Sequence, residues 1–373
     1  MKLNYTLKPG MLALSAVLML AACKKDDATP QTVDRVPEFY LAGNEATYGA
    51  NAPAITVKAT SADKLNTPQD LDFHPNRFME LWVINKDVDM TGGSTVTISN
   101  AGSDNQSFDF RRDGNAWHFM ALPSAMAFSN NGNWASVANI RDANRQGGTF
   151  TGPSLWSSDM NVYARPSGGN GSHLDMLHGS PFGMGIAAEK DNAFWVFDGF
   201  YGHLVRYDFV ADHGPGNDDH SDGRVHRYTE VKLTRNGDLP SHMVLDGQKK
   251  WLYIVDGANQ RVIRVNIQTG SKKGNLNLIN EPLAEHWEMQ GAQTEILSIP
   301  GLANPVGIDI RDNRLFVSDY ETGDIVAYNV DNNEVLGRVS TGKKGICGIK
   351  VGPDNRLWFV NALSNELGRV DPR

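Results

Sequence analysis

The stretch NAFWVFDGFYGHLVRYDF, residues 192–209, holds two short apolar strands joined by a turn that opens on Asp198. Its pattern, aromatic and β-branched residues running into an Asp or Asn, is written six times: LWVIN to Asn85, ASVAN to Asn139, FWVFD to Asp198, LYIVD to Asp256, LFVSD to Asp319 and LWFVN to Asn361. A further strand follows most copies, as in RVIRVNI from Arg261, DIVAYNV from Asp324 and ELGRVD from Glu366. Another precedes each copy, usually behind a proline: PQDLDF at Pro68, PSAMAF at Pro123, PFGMGI at Pro181, PSHMVL at Pro240, NPVGIDI at Asn304 and, without the proline, GICGIKV at Gly345. A unit of three or four short strands recurring every roughly 40 to 60 residues cannot cover both of its faces alone, so neighbouring units must stack. The predicted fold is all-β, a six-bladed β-propeller. The recurring Asp or Asn is read as architecture, a strand-end side chain that accepts the N–H groups of its own turn. Trp82, Trp195, Trp251 and Trp358, in or beside second strands, are read as packing between blades.

The order of proline, small residue, strand, turn, aromatic-Val-x-Asp and strand resembles the NHL-type six-bladed propellers. The last repeat, GIKVGPDNRLWFVNALSNELGRVDP, is similar to their streptogramin-lyase branch. The resemblance spans roughly residues 50–373 and implies the fold, while leaving activity open, because such propellers serve as lyases, lactonases and plain binding proteins alike.

The first 22 residues read as an address. Lys2 and Lys8 form a basic start, residues 11–22 an apolar run too short to span a bilayer, and Leu20-Ala21-Ala22-Cys23 is similar to a lipobox. The resemblance implies that Cys23 carries lipid, making this a bacterial lipoprotein of the outer membrane, with Lys24 to Asp27 as a charged tether that in some such proteins directs export to the surface. Residues 23–52 read as a flexible tether and 53–373 as the propeller. Within the latter, residues 54–59 alternate like a strand. The last repeat stops one strand short, so this N-terminal strand is expected to complete it and close the ring.

Only Cys23 and Cys347 occur, so a lipidated Cys23 leaves no internal disulfide, and Cys347 reads as a buried packing residue. Loss of Lys2 and Lys8 with the leader takes the formal charge from −8 to −10, which argues against nucleic acid or an anionic lipid surface as the main partner. The membrane is reached through the lipid alone.

Three connections exceed the usual lengths and are candidates for function: residues 138–159, residues 210–223, and residues 279–297, where a helical turn is expected over 282–287. Loops that lead into first strands and those joining second to third strands share one face, the channel mouth. That face is expected to present His178, His242, Arg141, Arg145, Tyr201 and Tyr320 as a ligand-binding set. Two imidazoles there could hold zinc or copper, or polarise a substrate carbonyl. The resemblance implies comparable His-metal sites at the mouth of the lyase branch, but its ligand motifs are not matched. The densest polar cluster holds His213, Asp218, His220 and Asp222, ending on Gly223. It resembles a D-x-[DN]-x-[DN]-G loop, which implies structural calcium, or zinc if His213 and His220 converge.

No GxSxG, P-loop, CxxC, CxxCH or HExxH pattern occurs, which removes the common hydrolase, nucleotide, redox, haem and metalloprotease readings. The expected function is a ligand- or protein-binding module of the bacterial envelope, metal-stabilised, for a small molecule, glycan or protein. The alternative is a metal-dependent lyase or hydrolase with His178 and His242 at its centre.

Overall fold

The computed structural model describes residues 36–41, 52–87, 92–145, 147–165, 169–217 and 219–373. Cys23 and Asp218 lie outside them, as does most of the stretch read as leader and tether.

Each repeat becomes one antiparallel sheet, its strands running outward from the axis in chain order. Blade one comprises Pro68–Phe73, Leu81–Asn85, Ser94–Ser99 and Ser107–Arg111; blade two comprises Pro123–Phe128, Trp134–Ala138, Ser154–Trp156 and His173–Met176. Blades three, four and five begin at Gly183–Lys190, Met243–Asp246 and Pro305–Arg311. Blade six has three strands of its own, Ile346–Val351, Leu357–Asn361 and Glu366–Asp371. Its fourth is Ala54–Ala59, paired antiparallel with Glu366–Asp371 from Ala54 opposite Asp371 to Ala59 opposite Leu367. The ring is therefore closed by the N-terminal strand, as the repeat pattern predicts.

The second strands, apolar on both faces, are buried almost throughout, because each sheet packs a neighbour on either side. Trp82, Trp134, Trp156, Trp195 and Trp358 are fully buried, and Trp82 reaches from blade one to within 5.6 Å of the Trp134 ring in blade two. Trp251 is only partly buried, under the Arg264 guanidinium. Cys347 is 1% exposed, its thiol pushed up to about 12 by burial.

First strands approach so closely that Gly185 is obligatory: a Cβ there would stand 2.1 Å from the Ser241 carbonyl. They are also clipped to one another, Asp70 accepting from Met126 N, Asp72 from Phe128 N and Asp309 from Val351 N. The channel keeps a cavity of about 240 Å³, lined by Asp70, Asp72, Met126, Ile186, His242 and Lys350 among others.

Three of the six recurring strand-end residues brace their own turns as expected, whereas Asn85 accepts from Asn66 N, Asp256 from Thr234 N, and Asn139 Oδ1 is buried without a partner. Asp198 accepts from Phe200 N and Tyr201 N, Asp319 from Glu321 N and Thr322 N, and Asn361 from Leu363 N and Ser364 N. Asn361 also donates to the Lys344 carbonyl and is 1% exposed. Asn361→Ala is expected to cost about 2 kcal/mol, the toll of orphaned buried backbone groups, read as a lower urea midpoint at unchanged slope; an unmoved midpoint would refute the bracing role.

Two features differ from the sequence reading. Residues 36–41, within the stretch read as tether, dock on blade five: Phe39 packs edge-on against Phe316 at 5.7 Å, and Glu38 pairs with Arg314 at 2.6 Å. The helical turn expected over residues 282–287 is a strand, Glu285–Gln290. With Ser271–Asn275 it forms a hairpin inserted between the third and fourth strands of blade four. That hairpin extends blade three to six strands, Glu285–Gln290 running parallel to Arg224–Lys232. The Pro and helix-forming residues at 282–284 favour the helical reading locally; an open sheet edge on the neighbouring blade overrides it.

Candidate functional site

The long connections of blades two and three and the blade-four hairpin meet between the outer edges of blades two and three. In the blade-two loop, Asp142 accepts from Asn144 N and Arg145 N with one oxygen and from Phe150 N with the other. This fold-back places the Phe150 ring flat on His178, with centroids 3.6 Å apart and planes 19° apart. His178 Nδ1 lies 2.6 Å from Glu281 Oε1, and His220 Nδ1 meets the same oxygen. The two imidazole centroids are 5.1 Å apart. The side chains of His178, His220 and Glu281 are only 4%, 14% and 3% exposed.

A second group adjoins the first. Asp175, on the outermost strand of blade two with a wholly buried side chain, faces His220 Nε2 at 3.8 Å. It groups with His213 and Asp222, which pair at 2.9 Å; Asp222 also accepts from Ala211 N. The blade-three loop lies along this strand, Gly216 N donating to the His173 carbonyl.

Burial and charge set the protonation. Burial pushes the Asp175 carboxyl up to about 7, against the opposing pull of His220. Burial also acts to raise Glu281, but hydrogen bonds from His178 and His220 outweigh it and hold the carboxyl down at about 2. His178 is lowered by burial despite its bond to Glu281. Glu281 Oε2 and Asp175 Oδ2 are buried without a hydrogen-bond partner.

The histidines expected to share the mouth are separated. His242 turns into the channel, its Nε2–H donating to the Ser124 carbonyl at 3.0 Å and its Nδ1 lying 3.5 Å from Asp70, whereas His178 turns outward to Glu281. Among the described residues, no group of converging ligand atoms contains both. His213 and His220 likewise fall into different groups, so the loop does not close on its own metal through both imidazoles. Tyr320 is half-buried in blade five and packs with Val306 and Cys347.

Arg141 and the Tyr201 turn do come together, through Phe200, with partners that sequence reading missed. Arg141 lies over the Phe200 ring at 4.9 Å; Phe200 stacks on Phe182 at 6.5 Å and 28°; Arg235 lies over Phe182 at 4.0 Å. Arg227, 1% exposed and bonded to Asp198 at 2.6 Å, supports Tyr201 from beneath at 5.2 Å. Arg145 is exposed beyond Asp142. The result is a ladder of two phenyl rings between two guanidinium groups across blades two, three and four, on the face from which the chain enters each first strand. Phe200 is 39% exposed.

No family model matches the chain, and no curated protein does. Solved structures match in fold. They include an auxiliary nutrient binding protein from Bacteroides ovatus, 11% identical with a TM-score of 0.56 over 86% of this chain and 77% of that one. A luciferin-regenerating enzyme is 12% identical, with a TM-score of 0.51 over 86% and 98% of the two chains. Virginiamycin B lyase from Staphylococcus aureus is 14% identical, with a TM-score of 0.49 over 85% of each. At such identities the likeness is one of architecture. The chain is a six-bladed β-propeller.

What its surfaces can do follows from their exposure. The stack exposes Phe200 and Arg141 side by side, while Arg235 Nη1 is buried beneath without a hydrogen-bond partner; an exposed aromatic ring beside a guanidinium is the composition of a recognition surface. The His178, His220 and Glu281 group is mostly buried, His220 keeping 14% of its side chain exposed. Among the described residues no helix is long and apolar enough to cross a membrane.

Proposed function

We propose that this protein is a binding module of the bacterial cell envelope, lipid-anchored at Cys23 to the outer membrane, that takes a small molecule or glycan on the ladder of Arg141, Phe200, Phe182 and Arg235. The ladder carries the reading. Stacked aromatic planes bind the apolar face of a saccharide ring, and guanidinium N–H groups bind its hydroxyl or carboxylate oxygens. The nutrient-binding propeller of Bacteroides ovatus lends support at the level of fold only. Separation of His178 from His242 favours binding over the alternative of lyase or hydrolase chemistry at the mouth.

Two measurements test this. Against a panel of neutral and acidic oligosaccharides, calorimetry should find a ligand whose Kd rises at least tenfold, about 1.4 kcal/mol, in both Phe200→Ala and Arg141→Ala. Equal affinity in the parent and both variants would remove the ladder as the site. The parent should partition with membranes and Cys23→Ser with the soluble fraction; equal partitioning of the two would remove the anchor.

A further inference from the structure

Beyond ligand recognition, the structure assigns a metal centre: Nδ1 of His178, Nδ1 of His220 and the carboxylate of Glu281 bind one divalent transition-metal ion, Zn²⁺ in the first instance, with Asp175 orienting His220 from behind. The three ligands come from segments far apart in the chain, the lead-in to blade three, its 210–223 loop and the blade-four hairpin. Their ligand atoms nevertheless lie within 4.8 Å of one another. Both imidazole nitrogens aim at a single oxygen, Glu281 Oε1, while Oε2 is buried with no hydrogen-bond partner.

Protons alone satisfy this arrangement poorly. For both contacts to be hydrogen bonds, each imidazole must carry its proton on Nδ1. His220, whose Nε2 faces Asp175 Oδ1 at 3.8 Å, would then turn a lone pair towards that carboxyl group unless one of the two carried a further proton. One divalent cation resolves every term together. It takes the Nδ1 lone pair of each neutral imidazole, engages the Glu281 carboxylate including its orphaned oxygen, and leaves Nε2–H of His220 directed at Asp175, 3.8 Å away. Such a carboxylate behind a ligating histidine fixes the tautomer and ring orientation. The formal charges also close, two positive on the ion against one negative each on Glu281 and Asp175.

The donor set decides among metals. Two imidazoles and one carboxylate suit Zn²⁺, with water as a fourth ligand, and Cu²⁺ or Ni²⁺ compete by intrinsic affinity. Calcium prefers six to eight oxygens, which these three residues do not provide. His213 and Asp222 are the more open group, at 18% and 31% side-chain exposure, and their direct ion pair accounts for both.

The test needs no carbohydrate ligand, so its failure is distinct from a failure of the ladder. Full-length protein stripped with chelator and dialysed should bind about one Zn²⁺ per chain in calorimetry. Its melting temperature should rise with added Zn²⁺ and not with Ca²⁺. Co²⁺ in place of Zn²⁺ should give the visible absorption of a tetrahedral nitrogen and oxygen site. His220→Ala and Glu281→Gln should each abolish stoichiometric binding, and Asp175→Asn should weaken it by about 10- to 100-fold. His226→Ala, at another histidine paired with a glutamate at 2.6 Å, should leave binding unchanged. A parent that takes up no Zn²⁺, or His220→Ala and Glu281→Gln proteins that bind it as tightly as the parent, would overturn the assignment. Should a variant fold poorly, the cobalt spectrum of the parent still decides: absence of the tetrahedral bands refutes the site.

Discussion

A chain that starts at Leu65, and so lacks the closing strand, is expected to lose its cooperative thermal transition. Ala54–Ala59 supplies the backbone partners of Glu366–Asp371, and without it a row of N–H and C=O groups on blade six becomes an open edge. The same cut removes residues 36–41. Val36 and Phe39, 1% and 0% exposed, join Phe316, Ile325, Ile349 and Phe359 in one core cluster between blades five and six. Fully buried side chains of this size contribute roughly 1.5–3 kcal/mol each, and removing Glu38 leaves Arg314 without its bidentate partner. Several such losses together approach the 5–15 kcal/mol that separates a folded domain of ordinary stability from its unfolded ensemble. Calorimetric unfolding should therefore broaden and fall far below the parent's, and a synthetic peptide of residues 36–64 added in trans should restore part of the transition. A truncated chain that melts with the parent would mean that the three-stranded blade closes the ring unaided.

The closing strand was legible because its evidence is local arithmetic: five repeats of four strands and a sixth that stops at three, with one unclaimed alternating segment upstream. Asp198, Asp319 and Asn361 were legible for a similar reason, since a side chain that braces its own turn needs only its neighbours in sequence, whereas Asn85 and Asp256 take backbone N–H groups from distant segments. Of the proposed metal centre, His178 and His220 were singled out in the sequence, each with other partners, and Glu281 was not. Glu281 lies 103 residues from His178 and 61 from His220. They meet only because the blade-four hairpin crosses to the edge of blade three, a parallel pairing that no local pattern announces. Its residues 285–290 lack the two-residue alternation of a half-buried strand, being partly buried on both faces. His178 and His242 mislead in the opposite sense. Both stand at the entries of successive blades, His178 ahead of Pro181 and His242 behind Pro240, but one side chain turns outward to a carboxylate and the other inward to the Ser124 carbonyl. The aromatic ladder was half legible, Arg141 and Tyr201 lying in the right loops, while Phe182, Phe200 and Arg235 escaped notice as ordinary turn residues.

Arg227→Met is expected to cost roughly 3–5 kcal/mol, because it strips the cation from a carboxylate that has no other ion-pair partner among the described residues. Arg227 is 1% exposed and Asp198 fully buried; the guanidinium bonds Asp198 at 2.6 Å and also donates to the Gly179 carbonyl. Burial already holds the Asp198 carboxyl above its ordinary value, with Arg227 as the main opposing influence. Removing that influence must raise it further. The sign of the pH dependence follows. A carboxyl whose folded value exceeds the unfolded value of about 3.9 binds its proton more tightly when folded, so its contribution favours folding at low pH and is lost as pH rises through the raised value. The deficit of Arg227→Met relative to the parent should therefore shrink as pH falls from 7 towards 5, a comparison in which groups common to both proteins cancel. Asp198→Asn combined with Arg227→Met should recover much of the loss at pH 7, since the remaining amide still accepts from Phe200 N and Tyr201 N. A deficit independent of pH, unrelieved in the double variant, would show that Arg227 acts through its packing beneath Tyr201 and not through charge.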